Sequence, residues 1–226
     1  IMVFSNASAY RRKTGIPMII PEINPHHFSD SMHYCATNCT LIPLAIPVSA
    51  ISKLTTIKSV KMRSEQALSG AGWELLFDEQ ALAGKVNPHI EHEAEKTAAE
   101  LLHVSGDLSF GHVTPADFNT DIICQRIARK DGHQVFVEVE TEHEITLSDF
   151  IDEIDSITTF SELPSGPLKA VHVVDEINPK QHLWTDGIDF ESEPNPVIDL
   201  KTGRSIVVGN ITISGTIISF SAYSHN

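Results

Sequence analysis

From Leu41 to Leu54 the chain reads LIPLAIPVSAISKL, its longest apolar run, interrupted only by Pro43, Pro47, Ser49, Ser52 and Lys53. A helix that is apolar on nearly every face must be buried against other elements, so this run fixes where the core lies. It falls short of the ~18 uninterrupted apolar residues that span a bilayer, and no other segment comes closer. Asn38 or Thr37 can act as N-cap for a helix beginning near Cys39, in which Pro43 is tolerated because it lies close to the first turn.

Around that helix the pattern alternates. Met2 to Phe4 and Met18 to Ile20 read as short strands, and Ile57 to Met62 alternates weakly before the loop Ser69-Gly70-Ala71-Gly72. Asn87-Pro88 signals a second helix, with Ile90, Ala94, Ala98, Leu101 and Leu102 at helical spacing. Two strands, Asp121 to Arg129 and His133 to Glu140, flank Asp131-Gly132, a pair that favours a tight hairpin. A third helix, Thr146 to Ile157, opens with Thr146 and Asp149 at capping-box spacing. Strands near Ala170 to Val174, Ser205 to Val208 and Thr216 to Phe220 complete an α+β reading, a mixed or antiparallel sheet with covering helices.

A net charge of −14 excludes a nucleic-acid partner, which requires a basic face. Three cysteines in 226 residues make no disulfide framework and favour a reduced, cytoplasmic setting. Nothing reads as a signal peptide or a membrane partner. His26, His27, His33, Cys35 and Cys39 fall close enough together for a small zinc site, but metal on Cys39 would leave the other motifs unexplained; no metal is expected.

Four stations carry chemistry: Thr37-Asn38-Cys39-Thr40, Gln66 to Gly72 (QALSGAG), Cys124-Gln125-Arg126 and Asp131-Gly132-His133. A cysteine at a helix entry has its thiolate favoured by free N–H groups and partial positive charge. A histidine titrating near neutrality suits acid/base work, and an arginine fork suits a carboxylate. If Asp131-Gly132 closes a two-residue turn, Arg126 and His133 share one face.

In order and type these stations resemble aspartate-β-semialdehyde dehydrogenases. The resemblance implies a catalytic domain like the C-terminal domain of glyceraldehyde-3-phosphate dehydrogenase, with Rossmann remnants at both ends. Residues 1–38 would be the remnant and connection, 39–220 the catalytic and dimerisation domain, and 221–226 the start of a helix returning to the dinucleotide-binding domain. It implies NADP-dependent reductive dephosphorylation of L-aspartyl-4-phosphate to L-aspartate-4-semialdehyde through a cysteine thioester, in lysine, methionine and threonine biosynthesis. Cys39 would be the nucleophile, His133 the acid/base and Gln66 the orienting amide. Arg126, Glu93, Lys96, Arg11 and Asn38 would bind substrate and phosphate. Ser69, Gly70, Ala71 and Gly72, the loop offering exposed backbone N–H groups, would meet the cofactor together with Asn226. The expected partners are the small-molecule substrate, phosphate and further copies in a homodimer or homotetramer. Without the family's Gly-rich strand-turn-helix, the chain alone is expected to be inactive in hydride transfer. Two alternatives stand beside this reading: an acyl-CoA reductase on the same scaffold, similar to malonyl-CoA reductases, and a non-catalytic oligomerisation module.

Overall fold

The computed structural model describes residues 1–183 and 203–225. In chain order the strands are β1 (Val3–Ser5), β2 (His33–Cys35), β3 (Ile57–Gln66), β4 (Asp107–Ser109), β5 (His112–Thr114), β6 (Asn119–Arg126), β7 (His133–Thr141), β8 (Val171–Val173), β9 (Ile206–Ser214) and β10 (Ile217–Ser224). The helices are α1 (Leu41–Leu54), the single turns α2 (Trp73–Leu76) and α3 (Glu79–Leu82), α4 (Glu93–Val104), α5 (Leu147–Asp155) and the short α6 (Pro179–His182).

Six strands form one sheet in the order β6-β3-β7-β10-β9-β8, parallel at its two outer pairs and antiparallel between. The fold is thus α+β with a mixed sheet. Helix α1 lies across β3, β7, β9 and β10, flanked by α4 and α5. Leu41, Leu44 and Ile51 of α1, Val60 of β3, Val135 and Val139 of β7, and Ile218 and Ala222 of β10 are buried in one core. The apolar run does set the core. Its burial explains why a helix carrying Pro47, which forgoes one backbone hydrogen bond, persists. The opposite sheet face carries Lys61 paired with Glu138 at 2.9 Å and the Arg63 guanidinium 4.2 Å from the centre of the Phe136 ring. Ahead of α1, β1 and β2 form a separate parallel pair. Met18, Ile20 and Cys35 nevertheless pack into the same core as α1.

Helix α5 has the expected capping box, with Thr146 and Asp149 bonded reciprocally. Four other expectations are corrected. The two strands around Asp131-Gly132 do not form a hairpin: β3 lies between β6 and β7, parallel to one and antiparallel to the other. The connection is held instead by the Leu68 and Ser69 N–H groups, which donate to Arg129 and Lys130 carbonyls. The second helix begins at Glu93 rather than at Pro88, because Pro88 accepts the Arg126 N–H at 2.8 Å and His89 bridges to Gln125, which holds this segment against β6. Met18 to Ile20 forms one bridge, Met18 to Cys35, and no strand. Residues 221–224 do not open a helix; they continue β10, paired with β7.

Candidate active site

Strand β3 assembles the site, because the strand between two others brings both neighbours' ends to one place. Its last residue, Gln66, is paired with Arg126 at the end of β6, and Glu65 with Gln134, the residue after His133 at the start of β7. Arg126 and His133 therefore meet across β3, by a route other than the hairpin expected. The following turn, Leu68–Ala71, closes over them: a Cβ on Gly70 would lie 2.9 Å from His133 Cε1 and 3.0 Å from Arg126 Nη1. Glycine is required there by proximity, not by backbone conformation.

His133 is fully buried. Its Nδ1 accepts the Ala67 N–H at 3.2 Å, which places the ring proton on Nε2, and Nε2 has no partner among the described residues. Burial, reinforced by the neighbouring Arg126 and Arg129 cations, lowers its pKa to about 4. The expectation of a group titrating near neutrality is corrected: the imidazole is neutral at physiological pH and presents one N–H donor. Arg126 is also buried, and its Nη1 donates to the Ala67 carbonyl at 2.6 Å.

Cys39 is half-buried, two residues before α1 begins, and lines a cleft of about 610 Å³ with Arg11, Asn6, Ser69, Gly70, Ser224 and His225. The thiol is not activated as expected. Burial pushes its pKa up, the Glu93 carboxylate adds to the rise, and the Cys39 and Thr40 N–H groups with Arg11 oppose it. Glu93, at the first turn of α4, is the acidic group felt by both Cys39 and Arg126.

The other expected residues divide. Gln66 is buried, with Nε2 3.4 Å from Ser64 Oγ and its amide against Cys124. Asn38 does not reach the cleft as a ligand: its Oδ1 accepts the Leu41 N–H at 2.8 Å and its Nδ2 donates to Thr97 Oγ1 at 2.9 Å, so the amide is committed to capping α1 and fixing α4. Lys96 is half-exposed and outside the cleft lining, and no ion pair joins it to Glu93 among the described residues. In the turn after β3, the Ser69, Gly70 and Gly72 N–H groups already donate to Lys130, Ala67 and Ser69 carbonyls, which corrects the expectation of free backbone donors there. Asn226 lies outside the described residues. No group of three or more His, Cys, Asp or Glu side chains fit to hold a metal occurs among the described residues; His27 instead hydrogen-bonds Asn24 and the Gly106 carbonyl.

No protein-family model matches the chain. An aspartate-semialdehyde dehydrogenase of Methanothermobacter thermautotrophicus is 31% identical over 93% of the chain, and that of Archaeoglobus fulgidus is 30% identical over 95%. The chain is homologous to aspartate-semialdehyde dehydrogenases. It spans 61% of the length of each of these two relatives. Among solved structures it resembles in fold the aspartate semialdehyde dehydrogenase with NADP from Candida albicans, at TM-score 0.73 and 20% identity over all of the chain and 66% of that protein. Aspartate semialdehyde dehydrogenase II from Vibrio cholerae aligns at TM-score 0.74 and 17% identity, over 68% of its length.

Two site residues escape the sequence reading. Thr97 and Glu100 follow Glu93 at i+4 and i+7, one stripe of α4. Thr97 takes the Asn38 amide, while Glu100, only 2% exposed, accepts the Asn38 N–H at 2.8 Å and a 3.2 Å contact from Arg11. The signal was present: polar residues at helical spacing on the side of α4 that carries buried Leu101 and Val104.

Proposed function

We propose that this chain is the catalytic and dimerisation portion of an aspartate-semialdehyde dehydrogenase, interconverting L-aspartyl-4-phosphate and L-aspartate-4-semialdehyde in amino-acid biosynthesis. The observation that supports it most is the grouping of a thiol (Cys39) on the cleft wall, a carboxylate (Glu93) whose charge acts on both Cys39 and Arg126, and a buried Arg126 and His133, the latter with a spare N–H, packed directly under Gly70 of the same wall. An α-amino acid carries both an anion and a cation, and Arg126 and Glu93 match those two charges. A malonyl thioester has no amino group for Glu93 to meet, which weighs against the acyl-CoA reductase reading.

In the proposed chemistry the Cys39 thiolate attacks the acyl carbon, and phosphate leaves toward Arg11, on the same cleft wall; Lys96 would serve as a second cation only by turning its side chain toward the cleft. The thioester carbonyl oxygen gains negative charge when hydride arrives. His133 Nε2–H would donate a hydrogen bond to that oxygen and stabilise its charge, while the proton that makes the thiohemiacetal hydroxyl would come from solvent, because the ring is already neutral. Collapse of that adduct frees the aldehyde and the thiol. Gln66 holds the acyl group by its amide. NADP, when bound, would supply the hydride; Ser69 and Gly70 wall the cleft beside Cys39. The open sheet face bearing Lys61, Arg63, Ile123, Phe136 and Glu138 suits a second copy in a homodimer, or in a homotetramer built from two.

The test is protection of Cys39. L-Aspartate-4-semialdehyde is expected to slow alkylation of Cys39 in the wild-type chain and to have far less effect in Arg126→Ala, because a charge-assisted hydrogen bond is worth ~1.5–3 kcal/mol. Protection by malonyl-CoA instead would move the reading to the acyl-CoA reductases.

A further inference from the structure

A buried carboxylate must be paired, or it shifts toward its neutral form. Glu100 is paired twice, and the two partners belong to different halves of the site. Its Oε2 takes the backbone N–H of Asn38, the residue before the nucleophile, at 2.8 Å; its Oε1 takes Arg11 Nη1 at 3.2 Å. Arg11 is held on its other sides as well, with Nε donating to the Ala36 carbonyl at 3.1 Å and Nη2 to the Asn6 carbonyl at 3.2 Å. Three of the five N–H donors of the guanidinium are thus spent inside the protein, and one remains on each Nη at the wall of the cleft that Cys39 lines. A fork fixed on three sides with two donors left is set up to receive an anion in one orientation.

We infer that Glu100 is a positioning residue that fixes the anion-holding fork of Arg11 relative to the Cys39 backbone, so that a leaving phosphate and the attacking sulfur are registered against each other by helix α4. The inference rests on the reading of Cys39 as nucleophile and Arg11 as the phosphate holder. A plain counter-ion role predicts the opposite sign, since removing a carboxylate from beside Arg11 would then strengthen anion binding. A role in the fold alone predicts no change in anion binding at all.

The experiment measures alkylation of Cys39 by iodoacetamide in the full chain, mapped by mass spectrometry, across a series of inorganic phosphate concentrations. Wild type is expected to be protected by phosphate and Arg11→Ala is not. In Glu100→Gln the amide oxygen still accepts the Asn38 N–H, but the amide NH₂ faces the Arg11 Nη1 donor. The half-protecting phosphate concentration is expected to rise about tenfold, in line with a lost charge-assisted contact, while the thermal midpoint shows that the fold is retained. Glu100→Asp serves if the glutamine variant does not fold: it keeps the charge, is one methylene too short to reach both partners, and is expected to weaken protection too. Unchanged or tighter phosphate protection in either variant overturns the inference. Absence of phosphate protection in wild type overturns the reading of the cleft itself, and the positioning role with it.

Discussion

Replacing His133 by asparagine keeps the acceptor for the Ala67 N–H and removes the titrating ring. In the folded chain the ring's pKa is lowered from 6.5 to about 4, with burial as the first cause. Between those values the unfolded chain binds a proton that the native chain refuses, so stability falls as pH drops through this window and is fully present above pH ~6.5. At ~1.36 kcal/mol per pH unit the shift amounts to about 3 kcal/mol. Because the ring is fully buried, solvent screening removes little of this. His27 and His103 are also lowered by burial and add a slope of the same sign, so the wild-type profile alone does not isolate His133. The assay is urea denaturation of wild type and His133→Asn across about pH 4 to 8. Asparagine is expected to lower stability at pH 8, through lost packing, and to flatten the acid slope by about 3 kcal/mol. Parallel slopes in the two proteins would refute the reasoning, since His133 would then have to be protonated in the native state.

Glu93→Gln removes the carboxylate that raises the Cys39 thiol, so alkylation of Cys39 is expected to quicken near pH 7.5 and its pH midpoint to move down; an unchanged midpoint would show that burial alone sets it. Gly70→Ala drives a methyl between His133 and Arg126, which is expected to cost roughly 1–3 kcal/mol in a denaturation experiment and to weaken semialdehyde protection of Cys39. Thr146→Ala breaks the α5 capping box and is expected to cost about 1 kcal/mol with Cys39 reactivity unaltered, as checked by thermal unfolding and alkylation together.

What was legible in the sequence was local or chemical. The apolar run 41–54 had to be buried, Thr146 and Asp149 announced a cap, and the four motif stations named Cys39, Ser69 and Gly70 on the cleft wall, and Arg126 and His133 packed under Gly70. What was not legible came from partners distant along the chain. Asp131-Gly132 is a turn signal, yet no local signal says that β3 will slip between the strands it joins. Strand β3 itself was read only to Met62 because its last buried positions, Ser64 and Gln66, are polar, so the apolar alternation fades while the ladder continues. The Asn87-Pro88 start signal lost to pairing with β6. The thiol was misjudged for the same kind of reason: it is raised first by burial under tertiary packing and then by Glu93, on a helix more than fifty residues on.

The central claim is that Cys39 is the nucleophile of an acyl-transfer site, and the direct measurement is intact mass followed by peptide mapping after exposure of the chain to L-aspartyl-4-phosphate. A single aspartyl adduct on Cys39, absent from Cys39→Ser, is the result expected; an adduct confined to Cys35 or Cys124, or none on a folded chain, would contradict it.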